Sequence, residues 1–255
     1  GGLCRSYPIN GIVYDVGPHI IFSKNTEIVD FINSLSNNHQ IKRSNQIYLN
    51  GNLIKYPFEN FLAQLQDKKQ IDYCLNSFLV NDYSKLPAEN MLAFFLKTFG
   101  EGITRLYLQP YNQKIWKFDP CMMDTQMVER IPKPPAQDII DSANGHFKEG
   151  YLHQLYFSYP RKGGIESLCA GIVSQIEEST DIMTNNKVVK IKKLKDVWQV
   201  NTNGNRSFYF EKIINCMPIH ELINCLEDVP EEVLSAAKNL LYNSIYIVVL
   251  NFKRD

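Results

Sequence analysis

The chain has 255 residues, 44% of them apolar, with 27 basic and 27 acidic side chains and a formal net charge of zero. That much apolar material can fill a large core, so the chain is expected to be globular, as one large domain or two smaller ones. The balanced charge excludes a global field that would steer it onto nucleic acid or an anionic membrane, so any charge recognition is local.

The longest apolar stretch, around residues 245–250, is far too short to span a bilayer, and the start lacks a charged-then-apolar signal pattern. No membrane span and a cytoplasmic location are therefore expected. Six cysteines (Cys4, Cys74, Cys121, Cys169, Cys216 and Cys225) are widely spread with no C-x-x-C pair. Reduced thiols follow from that spacing.

Along the chain, Asn-Gly between β-prone runs predicts the first hairpin over 7–14, turning at Asn10-Gly11. Ile28, Phe31, Ile32 and Leu35 fall at helical spacing behind a candidate Thr26 cap. A second hairpin is predicted over 47–54, turning at Asn50-Gly51. Residues 91–99 are apolar nearly all round and predict a buried helix that stops at Gly100. The Pro-rich 132–160 stretch has little periodicity and reads as a loop. A helix carrying Ile165, Leu168, Cys169, Ile172 and Ile176 opens directly after Gly163-Gly164.

Next comes a predicted β-meander over 187–194, 197–202 and 207–210, with a turn at Asn203-Gly204 and a final strand at 213–216. Lysines at 187, 190, 192, 193 and 195 resemble a basic patch, but Val189 and Ile191 alternate with them. A strand with one wet face explains that pattern without nucleic acid. Pro230, followed by Glu231 and Glu232, predicts the start of one more helix.

No G-x-S-x-G, H-E-x-x-H, P-loop or acidic calcium loop is present, so serine hydrolase, zinc protease, NTPase and EF-hand readings lack their motifs. The start is more informative. Gly1-Gly2-Leu3-Cys4-Arg5-Ser6 places two glycines beside an arginine, a combination that lets backbone approach a ligand while a guanidinium pairs with phosphate oxygens. A plain turn would use the same glycines.

Together with Gly17-Pro18-His19-Ile20-Ile21-Phe22, this opening resembles the segment after the first βαβ unit of the flavoproteins related to UDP-galactopyranose mutase, protoporphyrinogen oxidase and amine oxidases. Further pieces follow in the order of the mutase branch: Ile54-Lys55-Tyr56-Pro57-Phe58, then Phe99-Gly100-Glu101 through Tyr111 to Trp116, then Val128-Glu129-Arg130-Ile131-Pro132. Tyr159-Pro160, Gly163-Gly164 and Leu168 complete a series covering nearly the whole chain.

The resemblance implies an α/β (α+β mixed) fold. A partial FAD-binding Rossmann-like domain with a β-meander would come from residues 1–40 and 161–255, and a mainly helical substrate domain from 41–160. It implies FAD, with cofactor contacts from Gly1, Gly2, Arg5, Gly17, His19, Val188, Gly163 and Gly164. His19 also stands as the candidate catalytic residue, against a structural histidine. Tyr111, Trp116, Arg130 and Lys133 would meet the substrate, against core packing for the two aromatics.

Two positions depart from the mutase pattern. Its second arginine falls at Pro134, with Lys133 just before it, and its second loop histidine at Phe22. A lysine cannot make the bidentate fork of an arginine. The Gly-x-Gly-x-x-Gly turn expected ahead of Gly1 is missing, so the chain is expected to be a piece of a longer protein, without FAD on its own. The expected function is flavin-based redox chemistry on a small molecule. The alternatives are a mutase-like isomerase of a nucleotide sugar using reduced FAD, and a flavin-free binding or scaffold fragment.

Overall fold

The computed structural model describes residues 1–128, 131, 133–150 and 155–252. The chain forms two compact units, Gly1–Val173 with the segment from Ile247 onward, and Ser174–Tyr246.

In the first unit, β1 (Ser6–Ile9) and β2 (Ile12–Asp15) form a tight hairpin, as do β4 (Gln46–Leu49) and β5 (Asn52–Lys55). Both turns place Asn and Gly at positive φ, 51° and 80° in the first and 50° and 85° in the second. That is the two-residue turn whose twist matches the flanking strands. Helix α1 (Thr26–Ser34) is capped by Asn25, one residue before the expected Thr26; the Asn25 side chain accepts from the Ile28 N–H at 3.3 Å. Strand β3 (Asn38–Lys42) pairs with β6 (Tyr156–Pro160), and α5 (Ala136–Ala143) also falls inside 132–160. The expectation of a loop there is thus corrected. A strand whose partner lies far away in sequence leaves little local signal, and α5 spans barely two turns.

The apolar core lies between the second hairpin and α5. Helices α2 (Lys68–Leu79) and α3 (Met91–Ile103) pack on each other, α2 and α5 pack on the 3₁₀ turn Leu62–Leu65, and α5 also packs on the turn Phe58–Asn60. Phe58, Leu62, Phe95 and Ile103 are fully buried among them. Burying each such side chain is worth about 1.5–3 kcal/mol. As expected, the apolar helix of 91–99 stops at Gly100, which has φ 75° and ψ 175°, a conformation open to glycine alone; α3 is two helical stretches joined at this kink. A Cβ on Gly102 would lie 2.6 Å from the Cys74 Cα, so this glycine sets the close α2–α3 approach. The chain then runs through a π-helical turn, Thr104–Leu108, into α4 (Gln109–Trp116).

Helix α6 (Glu166–Ile176) opens after Gly163 and Gly164 as expected. At Gly171 its backbone lies against the carbonyl of Leu35, the C-cap of α1, and a Cβ there would overlap that oxygen.

In the second unit, β7 (Val188–Lys193), β8 (Trp198–Thr202) and β9 (Ser207–Phe210) form the expected antiparallel meander. Its third Asn-Gly turn is a longer loop over 203–206: Asn205 rather than Gly204 takes the positive φ, at 54°, and its N–H donates to the Thr202 carbonyl at 3.1 Å. Lys190 and Lys192 both pair with Glu227, which accounts for part of the lysine cluster. Residues 213–216 are not the expected strand: no described segment pairs with them, and Ile214 is 90% exposed. Helices α7 (Ile219–Cys225) and α8 (Glu231–Lys238) follow, each after a proline.

The fold is of the expected mixed α/β class. All six cysteines are free thiols. Among the described residues no helix is long and apolar enough to cross a membrane, and no cluster of His, Cys, Asp or Glu could hold a metal ion.

Candidate functional site

The first hairpin, β6 and the start of α6 meet at one carboxylate. Asp15 Oδ1 accepts from Ser6 Oγ at 2.6 Å and from the Ile165 N–H at 3.0 Å, while Oδ2 accepts from the Tyr159 hydroxyl at 2.5 Å. The pairing continues outward. The Glu166 N–H donates to Ser6 Oγ at 3.1 Å and the Ser6 N–H donates to Glu166 Oε2 at 3.1 Å. Gly164 makes this approach possible, for a Cβ there would overlap Ser6 Oγ and stand 2.5 Å from Asp15 Oδ1.

Electrostatics follow from that geometry. Burial alone would push the Asp15 carboxyl up, but hydrogen bonds from Ser6, Tyr159 and the Ile165 N–H outweigh it and hold the group below the usual carboxylate range. Burial and the same carboxylate push the Tyr159 phenol up. Asp15 is thus an anion and Tyr159 a neutral donor at ordinary pH. His19 stands beside them, its Nδ1 3.8 Å from Asp15 Oδ2.

A second site lies within the same unit. A groove of about 710 Å³ is lined by Arg43, Tyr56, Glu59, Tyr107, Tyr111 and Lys114, among others. Rings of Phe58, Tyr107 and Tyr111 stack in series, with centroids 4.8 Å and 5.1 Å apart. Tyr107 and Tyr111 are four residues apart along continuous helical backbone, which puts them on one face. Burial raises the Tyr56 and Tyr107 phenols, so both stay protonated donors. The Arg43 guanidinium sits 5.1 Å from the Tyr56 ring centroid.

Of the expected cofactor residues, Gly1, Gly2, Arg5, Gly17, His19, Gly163 and Gly164 lie in the segments that the Asp15 cluster joins. The Gly1 amine is 3.0 Å from Cys169 Sγ on α6, and the Arg5 carbonyl accepts from the Val16 N–H at 3.0 Å. Val188 lies on β7 in the other unit, where its carbonyl accepts from Cys225 Sγ at 3.5 Å. Of the expected substrate residues, Tyr111 lines the groove. Trp116 does not line it; its indole N–H donates to Asn112 Oδ1 at 3.1 Å, and Asn112 does line it. Lys133 is also outside the lining, with its ammonium 5.1 Å from the Phe94 ring centroid. Arg130 lies outside the described residues.

Sequence reasoning missed Asp15 as the hub, and Arg43, Tyr56, Glu59, Tyr107 and Lys114 as groove residues. The i, i+4 spacing of Tyr107 and Tyr111 was a readable signal. Arg43 and Glu59 come from separate segments that only tertiary packing joins.

The mixed α/β frame shares its fold with solved enzymes of the FAD-dependent oxidoreductase kind. A reduced UDP-galactopyranose mutase is 23% identical with a TM-score of 0.84, over 95% of this chain and 53% of that one. A putrescine oxidase redesigned in its cofactor binding is 12% identical with a TM-score of 0.58, over 93% and 55%. A CLA-producing fatty acid isomerase from P. acnes is 10% identical with a TM-score of 0.53, over 91% and 54%. The chain belongs to the flavin-containing amine oxidoreductase family, whose model matches residues 1–255. It spans about half the length of the solved structures it matches.

Proposed function

We propose that the protein is a flavin-dependent enzyme carrying out redox chemistry on a small-molecule substrate. In this reading FAD meets the segments around Asp15, and the substrate enters the groove walled by Tyr111. Residues 1–40 and 161–255 would form the cofactor side and 41–160 the substrate side. One observation carries the reading. The opening glycines, the Gly17 to His19 turn and the Gly163-Gly164 turn, far apart in sequence, converge through Asp15, Ser6 and the start of α6.

The residues present fit a dinucleotide. No atom lies within 4 Å of the places where Gly1 and Gly2 would carry a Cβ, so their backbone is open to close approach. Arg5 is exposed and able to pair with a phosphate oxygen. Bound FAD would supply hydride or electron transfer. The protein's own part would be to hold it with Gly163 and Gly164, to set His19 beside it, and to orient the substrate on Tyr111, with Trp116 steadying Asn112.

A second reading, isomerisation of a nucleotide sugar, is favoured by one feature: Arg43 and Lys114 line the groove together with the stacked phenols. Cations beside an aromatic platform suit a nucleoside diphosphate leaving group. Arg130 and Lys133 remain candidates for that role.

The test is direct. Purified full-length protein is expected to carry visible flavin absorbance, and a colourless product would turn the assignment to a flavin-free scaffold. With the flavin reduced and a UDP-hexose supplied, isomerisation without net redox change would favour the second reading over the first.

A further inference from the structure

An ionised carboxylate offers about four acceptor positions. In Asp15 three are filled, by Ser6, Tyr159 and the Ile165 N–H. The side chain is only 7% exposed, so water does little to satisfy the rest, and the group that faces Oδ2 is His19 Nδ1 at 3.8 Å. Nδ1 is itself buried and makes no hydrogen bond. At that separation the contact is electrostatic, since it lies beyond hydrogen-bond length.

Which tautomer such a histidine adopts is set by the partner of its inner nitrogen. A bare Nδ1 lone pair would confront the carboxylate oxygen, two electron-rich atoms sealed from water. A proton on Nδ1 replaces that repulsion with attraction. We propose that Asp15 is a positioning residue for His19: its Oδ2 holds the imidazole proton on Nδ1 and leaves Nε2 as a lone-pair acceptor.

Two consequences follow. Whatever packs against neutral His19 Nε2 must bring an N–H or O–H donor; a phosphate or carbonyl oxygen is disfavoured there. The Tyr159 phenol shares Oδ2 with His19, so losing its bond leaves more of that oxygen to the Nδ1 proton. The functional part of this inference rests on assigning His19 to the cofactor face, whereas the tautomer does not.

The experiment uses full-length protein labelled with ¹⁵N-histidine, in long-range ¹H–¹⁵N spectra at about pH 8, where an ordinary imidazole is neutral. His19→Gln identifies the signal by its loss. The wild-type His19 is expected to show a protonated Nδ1 and a bare Nε2. In Asp15→Asn, the amide oxygen is expected to keep the Ser6 and Ile165 donors, so the NH₂ takes the place of Oδ2 and donates towards Nδ1. The tautomer then inverts, with the proton on Nε2. Tyr159→Phe frees Oδ2 and is expected to retain the Nδ1 proton and move it downfield.

A wild-type protein with the proton on Nε2 overturns the proposal, as does a folded Asp15→Asn protein that keeps it on Nδ1. If Asp15→Asn does not fold, Tyr159→Phe decides: an Nδ1 proton that fails to move, or is lost, overturns the proposal equally. A colourless protein with the expected tautomers would defeat the flavin reading while supporting this one.

Discussion

The aromatic core around Phe58, Phe95 and Phe99 and the polar cluster around Asp15 belong to the same unit but are specified by different physics. In the core, rings and aliphatic side chains fill volume, and many neighbours share the responsibility for each contact. Around Asp15, the hairpin, β6 and α6 are joined by a few hydrogen bonds on one carboxylate and by a glycine with no room for a Cβ. The hairpin beside it leaves Ile9 and Val13 more than 40% exposed. A volume-specified region tolerates approximate substitution, whereas a region held by a few directional bonds fails at single atoms.

That contrast can be broken at either end. Phe95→Ala should cost about 3–5 kcal/mol of global stability, read as a shifted denaturation midpoint with the whole helical region unfolding together. Gly164→Ala, although it adds one methyl, should cost about 1–3 kcal/mol. Its effect should be local: hydrogen exchange would rise in β1, β2 and the start of α6 while the Phe95 region stays protected. Equal loss of protection in both regions would show that the two are not separable.

Acid should act on one region first. Asp15 has its folded pKa below an unfolded value of about 3.9, so its contribution is present above that pH and is lost as pH falls through the lower folded value. A pH series is expected to expose the Asp15 segments to exchange below about pH 4, and Asp15→Asn should flatten that dependence. The smallest effect is expected at the groove wall. Tyr111→Ala removes the outer ring of the stack and should change stability by about 0.5–1.5 kcal/mol, measured by denaturation, while weakening substrate binding in the full-length protein.

The same contrast explains what could be read from sequence. Two Asn-Gly hairpins were legible because the turn chemistry is contained in two adjacent residues, and the helix after Gly163-Gly164 because its apolar spacing is local. Thr26 lost the cap to its neighbour Asn25, whose side chain is the better capping group. The third Asn-Gly turn is longer because Asn205, one residue on, takes the left-handed conformation in place of Gly204. Strand β6 was hidden in a Pro-rich stretch whose partner sits before the core. Segment 213–216 has the composition of a strand, but a strand exists only where a neighbour offers it hydrogen bonds.

At the candidate site, resemblance brought His19, Gly163 and Gly164 forward, while nothing singled out Asp15. A carboxylate hub has no spacing rule: its partners come from residues 6, 159 and 165, and nothing local announces them. Trp116 and Lys133 carry the right chemistry for a ligand wall, yet each has a protein partner, Asn112 and Phe94.

The contact between Gly171 and the Leu35 carbonyl gives α1 an unusual kind of anchorage. With no fully buried residue along its length, this helix is held at its C-cap by that contact and ahead of its start by the Ile21–Ser158 bridge, while Ile28 and Phe31 on its flank stay 50% and 55% exposed. Because the clamp is backbone on backbone, there is no flexible side chain to absorb a shift. Any shift of α6 near its glycine turn would therefore be handed on to the C-cap of α1.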